Sequence, residues 1–227
     1  MTDQRERAQT DLDETPARDH ALAIGLAALN AIPVAGGTIA TLISEYVPRQ
    51  KQVRLVCFVE DLGERLRAQQ ERVDQDFVRT EEFQVLFEDA LDRVQQRKNE
   101  DKFEYWARLI IGVVGKERPP RADRDRFVDT LDRLRLSHLR LLHVVATTTT
   151  GKPGMYMGGV SETLTWKMPD TPIEEIRRDW DDLARDNVLQ SYPSGMMTAE
   201  GAGNLTVRVA PYGQQFIRLL QLEKPQP

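Results

Sequence analysis

A chain of 227 residues with 40% hydrophobic and 30% charged residues holds enough apolar material for one large or two small domains with real cores. A net charge of -5 and a pI near 5.4 exclude the global basic field that draws nucleic acid or anionic lipid. The one cysteine, Cys57, excludes an intramolecular disulfide and points to a reducing compartment, so a cytoplasmic protein is expected.

Residues 1–19 carry six acids against three arginines, the reverse of a secretory n-region, and their only large apolar side chains are Met1 and Leu12. Such a tail cannot offset its own ordering entropy and is expected to be disordered. Ala21 to Ser44 then runs twenty-four residues without a formal charge. Its length matches a membrane span, but seven of its residues are Ala, and Asn30, Pro33, Gly36 and Gly37 sit at its centre, where a proline and paired glycines favour a turn. The expected form is an apolar helical hairpin, His20 to Ile32 and Thr38 to Val47, packed on the helices that follow or on a second copy. Its contact residues, whether oligomer or membrane faces them, are Leu22, Ile24, Leu26, Leu29, Ile32, Ile39, Leu42 and Ile43. Arg49, Lys51 and Arg54 follow at once, as cytoplasmic flanks of an inserted segment would.

Beyond Pro48 the pattern turns helical. Leu55, Val59, Leu62, Leu66, Gln69, Val73 and Phe77 recur at spacings of four and three, predicting one long helix. Asp76 and Thr80 flank a break, and Thr80 before Glu81 and Glu82 predicts an N-cap with first-turn acids. Phe83, Leu86, Phe87, Ala90, Leu91 and Val94 form the stripe of the next helix. Phe103, Trp106, Ala107, Ile110 and Val114 belong to its continuation or to a third helix after Asn99. Helices with one apolar stripe each must form a bundle, completed by 21–47.

Consecutive prolines in Lys116 to Asp123 mark a boundary, with a linker expected at 119–123. A short helix with Phe127, Leu131 and Leu134 comes next, then Ser137 as the N-cap of a helix bearing Leu139, Leu142 and Val145. Thr147 to Gly159 reads as a loop. Thr171-Pro172 opens another helix, with Ile173, Ile176, Trp180 and Leu183 inward. Val188 to Tyr192 and Leu205 to Val209 are predicted strands around an exposed loop, Pro193 to Gly203, and Tyr212 to Leu220 closes the unit. The domains are thus a tail (1–19), hairpin and bundle (20–118), linker (119–123), a second domain (124–221) and an end segment (222–227).

The order helix, helix, helix, strand, long loop, strand, helix resembles a winged helix domain. The residues that carry the likeness are Leu183-Ala184-Arg185-Asp186-Asn187-Val188-Leu189 and Val207-Arg208-Val209-Ala210-Pro211-Tyr212-Gly213-Gln214-Gln215-Phe216-Ile217. The resemblance covers about 137–221, and many unrelated families share the motif. Asn187 stands where glycine is usual, compatible with a left-handed helix end. The whole layout is similar to bacterial proteins that join an apolar hairpin, a helical bundle and a C-terminal winged helix.

The resemblance implies that Thr171 to Asn187 is the recognition helix and Pro193 to Gly203 the wing. That helix holds Glu174, Glu175, Asp179, Asp181, Asp182 and Asp186 against Arg177, Arg178 and Arg185, and the wing has no Lys or Arg. Phosphate contact drives DNA affinity, so this charge pattern disfavours nucleic acid. Arg177, Arg178 and Arg185 are the contacts if DNA is bound nonetheless.

No enzyme chemistry is legible. His138 and His143 are five apart, about 140° around a helix, so they cannot bind one metal as an i, i+4 pair would; with His20 they read as interfacial residues. Cys57 lies in an apolar run without a base in sequence. Gly151-Lys152-Pro153-Gly154 lacks phosphate-loop spacing. The carboxylates are expected on solvent faces, and no catalytic residue, metal or cofactor is assigned. The expectation is a mostly α, non-enzymatic protein: apolar hairpin on an amphipathic bundle, then a winged helix (α+β) domain for contacts with another protein or with itself as a homo-oligomer. A membrane-acting effector whose hairpin inserts is one alternative, and a DNA-binding transcription regulator is another.

Overall fold

The computed structural model describes Phe58 and residues 61–66, 68–94 and 96–223, and these are mostly helical. The hairpin 21–47, with all eight of its contact residues, and Cys57 lie outside the described residues. One compact unit ends at Arg118 and a second starts at Pro119.

In the first unit residues 61–66 are helical, and Phe58, Leu62 and Leu66 are buried. The single long helix predicted through Phe77 does not form. The chain tightens into a 3-10 turn, Gln70–Arg72, and Val73 then pairs with Gly115 in an antiparallel bridge. Asp74 restarts the helix: its Oδ1 accepts from the N–H groups of Asp76 and Phe77 at 3.1 and 3.2 Å. An Asp side chain competes in this way with continued helix. Leu62, Leu66, Val73 and Phe77 are nevertheless all buried, so the apolar stripe survives the interruption.

The short helix α1 (Gln75–Val78) leads into α2 (Glu81–Val94), where Thr80 caps as predicted, its Oγ1 accepting from Phe83 N–H at 3.3 Å. All six predicted stripe residues of α2 are buried. A 3-10 segment, Arg97–Lys102, separates α2 from α3 (Phe103–Val114), so the third helix is distinct. α3 is buried on nearly every side, which fits the core helix of a bundle rather than a surface one. Edge-on and tilted rings, Phe58 on Phe103 and Phe77–Phe83–Phe87, fill the interior.

Arg118 folds back on this unit, pairing with Asp74 and lying 4.1 Å above the Phe77 ring. The Arg118 hydrogen bond, with the Phe77 N–H, holds the Asp74 carboxyl below its usual value. The stabilisation is therefore present above the ordinary carboxylate pKa and lost as pH falls through the lowered one. Asp74→Ala is expected to lower stability at neutral pH, and the gap to wild type should close below about pH 4, as read by denaturant midpoints across pH.

The second unit opens without a linker beyond the two prolines, since α4 (Arg121–Arg133) already includes Arg121 to Asp123. α5 (Leu136–Thr147), β1 (Met157–Gly158), α6 (Val160–Lys167) and α7 (Ile173–Arg185) follow. α6 was not legible as a helix. It buries only Val160, Thr163 and Leu164 and exposes Thr165, so its periodic signal is faint. α7 starts at Ile173 with Pro172 in the flanking extended conformation, and Thr171 does not cap it. Its buried side is Ile176, Asp179, Trp180 and Leu183. α7 ends through Asn187, which takes the left-handed conformation with φ 59°.

The two predicted strands reduce to one antiparallel bridge, Leu189 with Val209, flanked by Gln190 N–H to Arg208 O and Ala210 N–H to Val188 O. Thr206–Arg208 is a 3-10 turn rather than a strand, its start tied by the Thr206 hydroxyl to the Asn204 side chain. The predicted loop Pro193 to Gly203 is ordered into β2 (Met197–Thr198) and α8 (Ala199–Gly203), with Thr198 Oγ1 accepting from Gly201 N–H. β2 pairs antiparallel with β1, Met157 opposite Thr198 and Gly158 opposite Met197. α9 (Pro211–Leu219) closes the unit, and Phe127, Tyr212 and Phe216 stack at its centre.

Candidate functional site

Three features of the second unit carry polar or exposed chemistry: a charged lock between α5 and α7, the outer face of α7, and the β1–β2 face.

At the lock, α5 begins at Leu136, not after Ser137, and its start is held by His138, whose Nδ1 accepts the Arg135 N–H at 2.9 Å. The ring proton therefore sits on Nε2, which faces Asp182 Oδ2 at 3.2 Å and Asp179 Oδ1 at 3.3 Å. The Arg135 guanidinium reaches the same two carboxylates, at 2.8 and 3.4 Å. Asp179 is 8% exposed, against the expectation that the acids of this helix face solvent. The helix registers explain it: Asp179 shares the inward side of α7 with Ile176, Trp180 and Leu183, and survives there because Arg135 donates a hydrogen bond to it, with His138 Nε2 3.3 Å away.

His138, Asp179 and Asp182 bring one nitrogen and two carboxylate oxygens within 4.8 Å of one another. The donor set does not fit a metal. Nε2 could coordinate only if the ring proton moved to Nδ1, which already accepts a backbone N–H, and Arg135 occupies the carboxylate oxygens. The cluster is an ion-pair lock that fixes α5 against α7. Asp179→Ala, which removes the shorter of the two carboxylate contacts of Arg135 and leaves Asp182 as the remaining acceptor for Arg135 and His138, is expected to cost about 1–3 kcal/mol, measured by chemical denaturation. Arg135 is half exposed, which keeps the value below that of a fully buried pair.

His143, the other predicted interfacial histidine, hydrogen-bonds through Nδ1 to the Leu222 carbonyl at 2.7 Å. That bond ties α5 to the segment after α9.

Of the six acids on α7 and its C-cap, three are turned to internal bases. Asp179 and Asp182 belong to the lock. Asp186 pairs with Arg133 at 3.0 Å, and its carbonyl accepts from Arg126. Glu174, Glu175 and Asp181 remain exposed beside Arg177, Arg178 and Arg185. The three arginines do not converge. Arg177 lies 5.6 Å from the Tyr192 ring with an Nη2 at 3.5 Å from Ser161 Oγ, Arg185 pairs with Asp182, and Arg178 is exposed. The outer face is thus close to neutral rather than acidic, and it presents no basic stripe.

The β1–β2 face is the feature that sequence reading missed. Tyr156 is 91% exposed, Met157 60% and Met196 74%, all within two residues of the paired register. Met197 lies across from Gly158, and Arg208 approaches it with Nη2 3.6 Å from Sδ. The available signal was the paired methionines Met155-Tyr156-Met157 and Met196-Met197, concealed because both segments read as loops. Large apolar side chains gathered at one place on a surface mark contact sites, and unbranched methionine suits adaptable ones.

Among the described residues no helix is long and apolar enough to cross a membrane. Comparison of the chain with protein families, with curated proteins and with solved structures finds no match in any of the three.

Proposed function

We propose that the second unit is a winged helix that works by contact with another protein through its β1–β2 face, as the interaction module of a non-enzymatic regulatory protein of the cytoplasm. The observation that carries this reading is the exposure of Met157 on one of a pair of short strands and of Tyr156 and Met196 immediately before the two strands. Residues 193–203 contribute no Lys or Arg there, so the wing offers apolar surface and no phosphate ligand. The near-neutral outer face of α7 argues in the same direction.

The test against nucleic acid is direct. Fluorescence anisotropy with 30-base-pair duplexes of mixed sequence at physiological salt should give no saturable binding and almost no salt dependence. A specific shift abolished by Arg177→Ala with Arg178→Ala, in a domain that melts normally, would instead establish the transcription-regulator reading.

The uncharged run Ala21 to Ser44 supports a second activity in the same chain, self-association or membrane insertion through 21–47. Cell fractionation separates the two. Full-length protein in the soluble fraction, with a 21–47 deletion that aggregates, assigns the segment to packing or oligomerisation. Carbonate-resistant membrane association lost in the deletion assigns it to the bilayer.

A further inference from the structure

We infer that the β1–β2 face is also a modification site: its methionines are oxidised by peroxide to sulfoxides, and Arg208 receives the sulfoxide oxygen of Met197. Every methionine of the chain except Met1 lies between positions 155 and 197, and four of these, Met155, Met157, Met196 and Met197, sit on or next to the two paired strands. Met157 and Met196 are mostly exposed, so they take oxygen first, because thioether oxidation follows access. In each step the sulfur gives two electrons to hydrogen peroxide, gains an S–O bond to one peroxide oxygen, and the other leaves as water. Reversal requires a methionine sulfoxide reductase and a dithiol.

Arg208 makes this site specific. Its Nη2–H donates to Met197 Sδ at 3.6 Å, a weak bond to a soft acceptor. Its Nε is buried without a partner, and among the described residues no carboxylate pairs with it. A thioether sulfur has two lone pairs, and the one facing Arg208 takes the oxygen in one of the two sulfoxide epimers. That epimer places a strong acceptor against an uncommitted guanidinium, where the reduced sulfur offered little. Oxidation therefore changes the face from apolar to polar and anchors the product. The consequence for partner contact rests on the proposed protein-contact reading, whereas the chemistry does not.

Full-length protein exposed to millimolar hydrogen peroxide and followed by peptide mass spectrometry should show Met157 and Met196 oxidised several times faster than Met155 and Met168. Fluorescence of the dye bis-ANS on the folded protein should fall as they react, and should recover with methionine sulfoxide reductases and dithiothreitol. Met157→Leu with Met196→Leu should keep dye binding and abolish its peroxide sensitivity. At longer exposure, one Met197 sulfoxide epimer should be reduced several times more slowly in wild type than in Arg208→Ala, with both proteins folded by circular dichroism. Equal oxidation rates at all five methionines, or equal reduction of both epimers in wild type and Arg208→Ala, would overturn the inference. Because none of these readouts uses a partner, they fail independently of the protein-contact reading.

Discussion

Gly213→Ala is expected to destabilise the second unit by about 3 kcal/mol, although alanine is the better helix former by about 1 kcal/mol. Gly213 lies inside α9 and is buried, and a Cβ there would overlap the Val188 carbonyl, which is backbone and not a side chain that can swing away. The carbonyl cannot retreat freely, because it accepts the Ala210 N–H at 3.0 Å next to the Leu189–Val209 bridge. Steric overlap therefore outweighs propensity. The control is Gly201→Ala in α8, where the added methyl meets Thr198 and Met197 atoms only at 3.4–3.5 Å, near ordinary contact distance. Urea midpoints at unchanged m-value should fall sharply for Gly213→Ala and stay within about 0.5 kcal/mol for Gly201→Ala.

Trp180→Ala is expected to cost about 4 kcal/mol. Trp180 is fully buried, its Nε1–H donates to the Gln190 carbonyl at 2.9 Å, and Tyr192 meets its ring edge-on at 5.3 Å. Truncation empties the space between α7 and the strand-like segment that follows it and leaves the Gln190 carbonyl without its donor. Trp180→Phe refills most of the volume and should recover more than half of the loss, leaving the hydrogen-bond part, about 1 kcal/mol. Equal losses for the two variants, measured by urea midpoint, would place the energy in the hydrogen bond and not in packing.

What was legible in the sequence was legible for a physical reason. The α2 stripe, the Thr80 cap and the inward residues Ile176, Trp180 and Leu183, of a predicted set whose fourth member Ile173 is only half-buried, follow from a period of 3.6 and from side chains that can pair with orphan N–H groups. Where local rules failed, tertiary contacts had won. Val73 left the helical pattern because Gly115 pairs with it, and His138, not Ser137, caps α5 because the lock holds its ring against that backbone.

The charge count on Thr171 to Asn187 went wrong in an instructive way. Six acids against three arginines describes a helix in solution, but Asp179, Asp182 and Asp186 are committed to Arg135 just before α5, His138 on α5 and Arg133 on α4. Helical spacing alone could have suggested it, since Asp179 falls beside Ile176, Trp180 and Leu183. The β1–β2 face was illegible for the opposite reason. Strands of two residues have no measurable alternation, so the pairing of Met157 with Thr198 and of Gly158 with Met197, which brings the segments bearing Tyr156 and Met196 side by side, exists only in three dimensions.

The claim that this face meets protein is tested most directly by site-specific photocrosslinking in cells, with p-benzoylphenylalanine placed at Tyr156 in one strain and at Arg178 in another. The expected result is a discrete protein adduct from position 156 that disappears with Met157→Glu and Met196→Glu and persists with Arg177→Ala. Nucleic-acid adducts from position 178, with none to protein from position 156, would contradict it.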